Sequence, residues 1–321
     1  MSEARGRRVV RALAGVALSA ALLVWIGFAV RGDLAQISRP AWTVRPGLLV
    51  ASVAPLAVAY GLWVALWRTT LAELGTRLDA RTAARAWMVS QLGKYVPGKV
   101  WVAVGRVALV ARSPGQGLAV GLSIFYEMVL FLVAGVLLSS AALPPSAVGS
   151  AWPAVTAVLL GAAALVALLV PGAGHALARC ATWLVPGAGE PRSGVAVIRP
   201  ARLLALLGGY AASWLVVGAG FALFVASFHP IEPRAVIRVA LGFVFAWAAG
   251  ALVFLAPAGL GVREAALLVY LDGLVPRDVA LVVVVASRLW TTGVELAGLL
   301  VAVAWSGGQA SGRDTDASAR A

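Results

Sequence analysis

Charged side chains occur in this sequence at positions where the surrounding residues are almost all apolar. Five are basic and three are acidic: Lys94, Lys99, Arg106, Arg263, Arg288, Glu127, Glu264 and Glu295. A charge at the centre of a membrane helix costs about 2.5–3.5 kcal/mol on insertion scales, so such residues are rare. One alone could snorkel to the membrane surface or form a structural ion pair. Together they predict a polar cavity within the bilayer, and the excess of basic residues favours an anion as its ligand.

The first group of charges surrounds a predicted helix break. Gly93, Pro97 and Gly98 lie within the run QLGKYVPGKVW, and a helix continues poorly through proline and glycine. The flanking segments Thr82–Leu92 and Lys99–Arg112 are each shorter than the roughly 20 residues that a membrane crossing needs. We therefore expect a re-entrant helical hairpin, which enters and leaves the membrane on one side.

The second group of charges follows a similar break. Pro257, Gly259 and Gly261 interrupt an apolar stretch, and Arg263 then begins a short apolar helix that ends near Tyr270. Irregular backbone is tolerated at membrane depth only where it is buried in protein or lines a water-filled cavity. A second re-entrant hairpin is therefore predicted here.

The breaks would also supply an anion site. The first residues of a helix offer unpaired N–H groups and a partial positive charge. Lys99, Arg106 and Arg263 follow the two breaks closely, so these side chains and the helix N-termini together could hold a phosphate. The three glutamates could pair with these bases, gate the site or contact a cationic headgroup.

The rest of the sequence has the composition of a membrane-embedded bundle. Hydrophobic residues make up 61% and charged residues 12% of the chain, with a mean hydropathy of +0.93, whereas soluble domains are about 25% charged. Apolar stretches near crossing length are Ala12–Val30, Gly47–Trp67, Leu118–Ala142, Trp152–Val170, Leu203–Phe228, Val239–Ala256 and Val279–Trp305. We expect an all-α integral membrane protein with about six full spans and two re-entrant broken hairpins.

Two parts of the sequence share one order of features. Arg45-Pro46 and Arg199-Pro200 each precede a long apolar span, a Pro/Gly break and a last span, which begins near Ser123 or Ser287. Because three spans separate the two Arg-Pro starts, the second half would be upside down relative to the first. This predicts an inverted repeat, which is typical of transporters with a binding site at the midplane.

The predicted organisation is a tail at 1–11, one transmembrane domain at 12–305 with repeats at 45–142 and 199–305, and a disordered tail at 306–321.

The arginines predict that both termini are cytoplasmic, because cytoplasmic loops are enriched in Lys and Arg. Fifteen fall in segments assigned to the cytoplasm: Arg5, Arg7, Arg8, Arg11, Arg68, Arg77, Arg81, Arg85, Arg112, Arg179, Arg192, Arg199, Arg202, Arg313 and Arg320. Six fall outside: Arg31, Arg39, Arg45, Arg234, Arg238 and Arg277. This topology accounts for most of the net charge of +13, so nucleic-acid binding is not expected.

Several kinds of chemistry lack the residues they need. Cys180 is the only cysteine, and the histidines His175 and His229 form no cluster with metal-ligand spacing. The sequence has neither a nucleotide-binding loop nor a nucleophile elbow. We therefore expect no metal, no cofactor and no ATP-driven pump on this chain alone.

The two break motifs together resemble those of the lysylphosphatidylglycerol synthetase transmembrane-region family, also called the flippase-like domain family. The run QLGKYVPGKVW with Gly105-Arg106 is similar to the first motif and PAGLGVRE to the second, and the resemblance extends from Val9 to Trp305. It implies a membrane domain that moves aminoacylated phosphatidylglycerol or a related lipid between leaflets. It also implies functional roles for Lys94, Pro97, Gly98, Arg106, Pro257, Gly259, Arg263 and Glu264. Only a short polar tail follows Trp305, so we expect a translocator and not an enzyme.

Three functions remain open at this point. The first is translocation of a phospholipid or a polyprenyl-phosphate-linked lipid across the cytoplasmic membrane, which requires a lateral opening to lipid. The second is secondary transport of a small anionic solute through a closed aqueous vestibule. The third is a membrane-bound partner of a lipid-modifying enzyme or an enzyme itself, for which Arg263-Glu264 is the only candidate acid–base pair. The oligomeric state and the energy source have no signal in the sequence.

Overall fold

Residues 44–95, 100–140, 198–252, 259 and 261–318 are described by the structure, a computed structural model of the chain, with residues 307–318 as backbone alone. The predicted spans Ala12–Val30 and Trp152–Val170 lie outside these residues. So do the predicted break residues Pro97, Gly98 and Pro257, together with Lys99.

The described residues are helical, with no strand among them. The eight α-helices are α1 Pro46–Glu73, α2 Ala80–Gln91, α3 Val100–Val110, α4 Pro114–Ser140, α5 Pro200–Ala226, α6 Val236–Leu252, α7 Val262–Leu271 and α8 Arg277–Ser318. Two 3₁₀ turns, Leu92–Tyr95 after α2 and Pro233–Ala235 before α6, complete them.

Five segments of the described part are long and apolar enough to cross a membrane: Pro46–Glu73, Gly115–Ser140, Pro200–Ala226, Pro233–Ala251 and Arg277–Ser306. The prediction of a multi-pass helical membrane protein is confirmed. The last helix continues as backbone to Ser318. The disordered tail at 306–321 stays a prediction.

Helices α1 and α5 pack against each other in antiparallel orientation along their whole length. At one end, the N–H of Arg45 donates to the carbonyl of Ser227 at 2.8 Å. At the other end, Arg202 Nε donates to Glu73 Oε1 at 3.0 Å. Each helix starts with the predicted Arg-Pro pair, and the proline lies in the first turn, where its missing N–H is not needed.

The first break separates the legs of a helical hairpin, α2 and α3, here called hairpin one. A Cβ atom on Gly93 would lie 2.6 Å from the backbone carbon of Trp101, and the ideal Cβ of Gly105 lies 3.9 Å from Cα of Ser90. The paired positions run in opposite directions along the chain, so α2 and α3 are antiparallel. Gly93 allows this approach because any side chain would collide with the opposite backbone.

The second break separates α6 and α7, which form hairpin two. A Cβ atom on Gly259 would lie 2.7 Å from Cα of Gly250, and one on Gly242 would lie 2.7 Å from the ring of Tyr270. These pairs again run in opposite directions, so the legs are antiparallel. Gly259 and Gly261 have φ of +71° and +81°, which side chains other than glycine rarely adopt.

The two hairpins open toward opposite ends of the bundle. Hairpin one opens near the end of α1, where Arg68 Nε donates to the carbonyl of Leu78 and Arg81 covers the ring of Trp305 from α8. Hairpin two opens near the end of α4, where the hydroxyl of Tyr270 donates to the carbonyl of Ser139. Each first leg also packs on the last long helix of the other half, α2 on α8 and α6 on α4.

The entrance to hairpin one is fixed by a cap outside the apolar segments. Asp79 precedes α2, and its Oδ1 accepts from the backbone N–H groups of Arg81 and Thr82, both at 3.0 Å. The hydrogen bonds from Thr82, with a smaller contribution from Arg81, lower the pKa of Asp79 from its ordinary 3.8. The sequence predicts that the hairpin starts at Thr82. In the structure the helix starts two residues earlier, at Ala80, because Asp79 caps it.

Candidate functional site

Seven of the eight charged residues predicted for the site lie in the described part, and six of them form three ion pairs. Arg106 pairs with Glu127, Lys94 with Glu295, and Arg288 with Glu264. Each pair joins two different helices or turns, so the charges also hold the hairpins against the long helices. The remaining described residue, Arg263, is in none of these pairs.

Arg106 is buried and contacts a carboxylate, a hydroxyl and an aromatic ring. Its side chain is 1% exposed, its Nη1 donates to Glu127 and its Nε donates to Ser90 Oγ at 3.0 Å. The guanidinium carbon lies 4.7 Å from the ring centroid of Trp67. Glu127 accepts a further hydrogen bond from Trp87 Nε1 at 2.7 Å. This is a satisfied buried ion pair, in which each charge is compensated and hydrogen-bonded.

Lys94 and Glu295 connect hairpin one to α8. Glu295 Oε2 accepts from the ammonium group of Lys94 and from the hydroxyl of Tyr60 at 3.3 Å. The other carboxylate oxygen, Oε1, is buried and has no donor among the described residues. Tyr60 comes from α1, so this group joins both halves of the chain.

Glu264 holds the start of α7. Its Oε2 accepts from the backbone N–H of Gly261 at 2.7 Å, and its Oε1 accepts from Arg288 Nε. The first contact is half of a capping box, in which a glutamate at the third helical position satisfies an N–H that the helix leaves open. Arg288 lies on α8, so the carboxylate also fixes hairpin two to that helix.

Arg263 is a buried cation without a carboxylate partner in the described ranges. The residue is 5% exposed, and its Nε and Nη2 atoms make no hydrogen bond in this part of the chain. Its guanidinium carbon lies 4.8 Å from the ring centroid of Phe243 and 4.7 Å from that of Trp247. These rings offset part of the cost of burial through cation–π attraction, but they leave the N–H donors open.

Arg263 also belongs to the region where both hairpins meet. Glu264, Arg288, Tyr60 and Tyr95 all lie near it. Lys94 lies over the ring of Tyr95 at 5.2 Å, so the charges of hairpin one and hairpin two share one neighbourhood. The prediction that Arg106 shares this neighbourhood with Arg263 stays a prediction, since the described contacts of Arg106 are those with α1, α2 and α4.

An aromatic cluster lies between the two groups of charges, and sequence reasoning did not identify it. The ring of Trp63 contacts the rings of Tyr60, Trp87, Phe131, Trp214 and Trp247 at centroid distances of 5.0 to 6.2 Å. The high number of tryptophans in the sequence, 12, could have indicated this cluster. A buried indole N–H usually has a hydrogen-bond partner, so buried tryptophans tend to lie beside polar groups. Trp63 Nε1 does so by donating to Ser213 Oγ at 2.8 Å.

Comparison with protein families decides the relationship of the chain. Residues 12–298 match the family described as lysylphosphatidylglycerol synthase TM region. The chain belongs to this family. The matched range contains both hairpins, every predicted site residue and the two predicted spans outside the described residues, which confirms the resemblance seen in the motifs. No individual curated protein matches the chain.

As a member of the lysylphosphatidylglycerol synthase TM region family, the chain is a multi-pass membrane domain whose buried charges are largely compensated. Within the described ranges, no group of three or more His, Cys, Asp and Glu side chains could hold a metal ion. The described site residues comprise four cations and three carboxylates. The arrangement can therefore bind a negative charge through Arg263 without breaking an existing ion pair.

Proposed function

We propose that this membrane protein is a lipid translocator, which moves a phospholipid or a polyprenyl-phosphate-linked lipid between the leaflets of the cytoplasmic membrane. The observation that carries the proposal is Arg263, a buried guanidinium with two nitrogens whose N–H groups have no acceptor among the described residues. A phosphate accepts from such a fork through two oxygens, and arginine keeps its charge when it is desolvated. Family membership supports a role at lipids.

The remaining site residues have supporting roles in this proposal. Lys94 and Arg288 lie near Arg263, and each is neutralised by its own glutamate. Lys99 follows the break of hairpin one in the sequence. Glu264 and Glu295 hold the hairpins to α8 and can exchange partners when a phosphate arrives. Arg106 and Glu127 fix hairpin one to α4 and position it, because Nε and Nη1 of Arg106 and both carboxylate oxygens of Glu127 already have partners within the protein.

The same proposal treats the two halves as an inverted repeat with re-entrant hairpins. It is supported by the antiparallel packing of α1 on α5 and by hairpins that open toward opposite ends of the bundle. The legs α2, α3 and α7 have 12, 11 and 10 residues, too few to cross a bilayer. The remaining leg, α6, has 17 residues and is long enough to cross together with the 3₁₀ turn before it. In the proposed arrangement both breaks reach membrane depth from opposite sides, which suits a site that alternates between leaflets.

The orientation follows from the basic end of the bundle. Seven arginines with described side chains lie at the end where α1 finishes and α5 starts: Arg68, Arg77, Arg81, Arg85, Arg112, Arg199 and Arg202. Four lie at the other end: Arg45, Arg234, Arg238 and Arg277. By the preference of Lys and Arg for cytoplasmic loops, the first end is cytoplasmic. Tags at the N-terminus and after Trp305 should both be protected from a protease added to intact cells.

Transport of a small anion is the second candidate, because a soluble phosphate would present the same oxygens to Arg263. Reconstitution into liposomes separates the two. One set of vesicles contains a fluorescent phospholipid whose accessibility to an external quencher reports movement between leaflets. A second set contains labelled inorganic phosphate and glycerol phosphate, whose efflux is measured.

We expect rapid lipid movement and no solute efflux above that of protein-free vesicles. Solute efflux without lipid movement would replace the proposal with the second candidate. Neither signal above protein-free vesicles would remove both.

A further inference from the structure

We propose that the site selects lipids with a net anionic headgroup and discriminates against aminoacylated, net cationic headgroups. This inference rests on the proposed function and concerns the headgroup bound at that same site. Lysine esterified to phosphatidylglycerol adds two ammonium groups to one phosphate, so the headgroup is net positive near neutral pH. The site must therefore either supply a free carboxylate for such a lipid or repel it.

Carboxylates are scarce in this chain, and each of those at membrane depth already forms an ion pair with a basic side chain. Of the 13 acidic residues, three lie at predicted membrane depth: Glu127, Glu264 and Glu295. The other ten fall in predicted loops, helix ends or tails: Glu3, Asp33, Glu73, Asp79, Glu190, Glu232, Asp272, Asp278, Asp314 and Asp316. Each of the three deep carboxylates is already paired with a cation of the protein. An ammonium headgroup would therefore compete with Arg106, Arg288 or Lys94 for a carboxylate that already carries a cation.

Aromatic faces are the other place where an ammonium group binds, and the rings beside Arg106 and Arg263 already carry a cation. The rings of Trp67 and Trp87 face the guanidinium of Arg106 at 4.7 and 5.5 Å. The rings of Phe243 and Trp247 face that of Arg263. A second cation at either place would meet a positive charge that is already bound.

An anionic headgroup meets the opposite conditions. Arg263 forms no ion pair with a described carboxylate, and two of its nitrogens have no acceptor among the described residues. Binding one phosphate brings the described site, with its four cations and three carboxylates, to neutrality. Charge balance therefore favours a lipid with a single uncompensated phosphate.

Binding to the purified full-length protein tests this inference independently of transport. The probes are short-chain phosphatidylglycerol, its lysyl ester, phosphatidylcholine and inorganic phosphate, each titrated while tryptophan fluorescence and thermal unfolding are followed. We expect phosphatidylglycerol to bind at least about tenfold more tightly than the lysyl ester, equivalent to about 1.4 kcal/mol. Equal binding of both lipids, or tighter binding of the lysyl ester, would overturn the inference. Inorganic phosphate that binds as tightly as phosphatidylglycerol would also overturn it, because the ligand would then be a soluble anion.

Two variants locate the preference at the site. Arg263→Gln should remove it, whereas Arg85→Gln, which changes an exposed arginine on α2, should keep it. Lys94→Gln removes the cation on Glu295, whose Oε1 already has no donor in the described part of the chain, and should shift the preference toward the lysyl ester. A preference that survives both Arg263→Gln and Lys94→Gln would contradict the assignment.

If Arg263→Gln does not fold, the parent protein and Lys94→Gln still decide the matter. The liposome assay tests translocation separately, because anion-selective binding without lipid movement would end the proposed function and leave the inference standing.

Discussion

Arg106 and Arg263 both follow a helix break and both lie on the second leg of a hairpin, yet their surroundings are opposite. Arg106 donates to Glu127 and Ser90, whereas Arg263 has two buried nitrogens with no acceptor in the described residues. A buried charge without a partner is costly, and proteins retain it chiefly where a ligand completes it. The comparison supports the proposal that hairpin one uses its arginine to build the fold, whereas the arginine of hairpin two is available to a ligand.

The largest effect is expected from breaking the satisfied pair. Arg106→Ala leaves Glu127 buried without its cation, which should cost about 3–5 kcal/mol of stability. The Arg106→Gln, Glu127→Gln double variant removes both charges together and should recover much of that loss. Denaturant unfolding in detergent measures both. If Arg106→Ala unfolds like the parent while its transport falls, the structural role given to Arg106 is wrong.

A smaller effect is expected from the turn that carries Arg263. In Gly259→Ala, a Cβ atom would lie 2.7 Å from Gly250 at a φ of +71°, so both sterics and backbone strain oppose it. We expect a loss of about 1–3 kcal/mol from the strained backbone, and reduced transport because Arg263 moves with the turn. Gly261→Ala is the matched control, since it has a φ of +81° but open space around its Cβ position. Thermal unfolding should therefore rank Gly259→Ala below Gly261→Ala, and the reverse order would show that the close approach is not tight.

The smallest effect is expected at the cap of hairpin one. Asp79→Ala should destabilise the protein by about 0.5–2 kcal/mol, near the low end because the cap is exposed. The pKa of Asp79 is lower in the folded protein than its ordinary value. Its contribution is therefore full above the ordinary pKa and is lost as the pH falls through the folded pKa.

Asp79→Asn keeps a capping oxygen without the charge, so it should be nearly as stable as the parent and should lose this pH dependence. A stability profile of Asp79→Asn that still follows the acid limb of the parent would assign that limb to another group.

Composition predicted the helical class correctly, because it is a signal that needs no knowledge of packing. Proline, glycine and charge within apolar stretches are also local signals, and they led to the predicted breaks and site residues. Which arginine is paired could not be predicted in this way. Arg106 meets Glu127 from 21 residues away, and Lys94 meets Glu295 from 201 residues away. These pairings depend on how the halves pack, and packing is set by contacts such as Trp63 with Ser213. From their spacing in the sequence, Arg106 and Arg263 were predicted to have the same role in the two halves. Only the surroundings of their side chains in the structure distinguish them.

The central claim is that Arg263 binds the lipid phosphate, and one paired measurement tests it most directly. Arg263→Gln and Arg263→Lys are purified, their unfolding temperatures are compared with the parent, and each is assayed for lipid movement in liposomes. We predict that Arg263→Gln unfolds within a few degrees of the parent, since no described ion pair is lost, and that its rate of lipid movement falls at least about tenfold. Arg263→Lys should retain an intermediate rate, because it keeps the charge and loses the fork. A folded Arg263→Gln protein that moves lipid at the parental rate would contradict the claim.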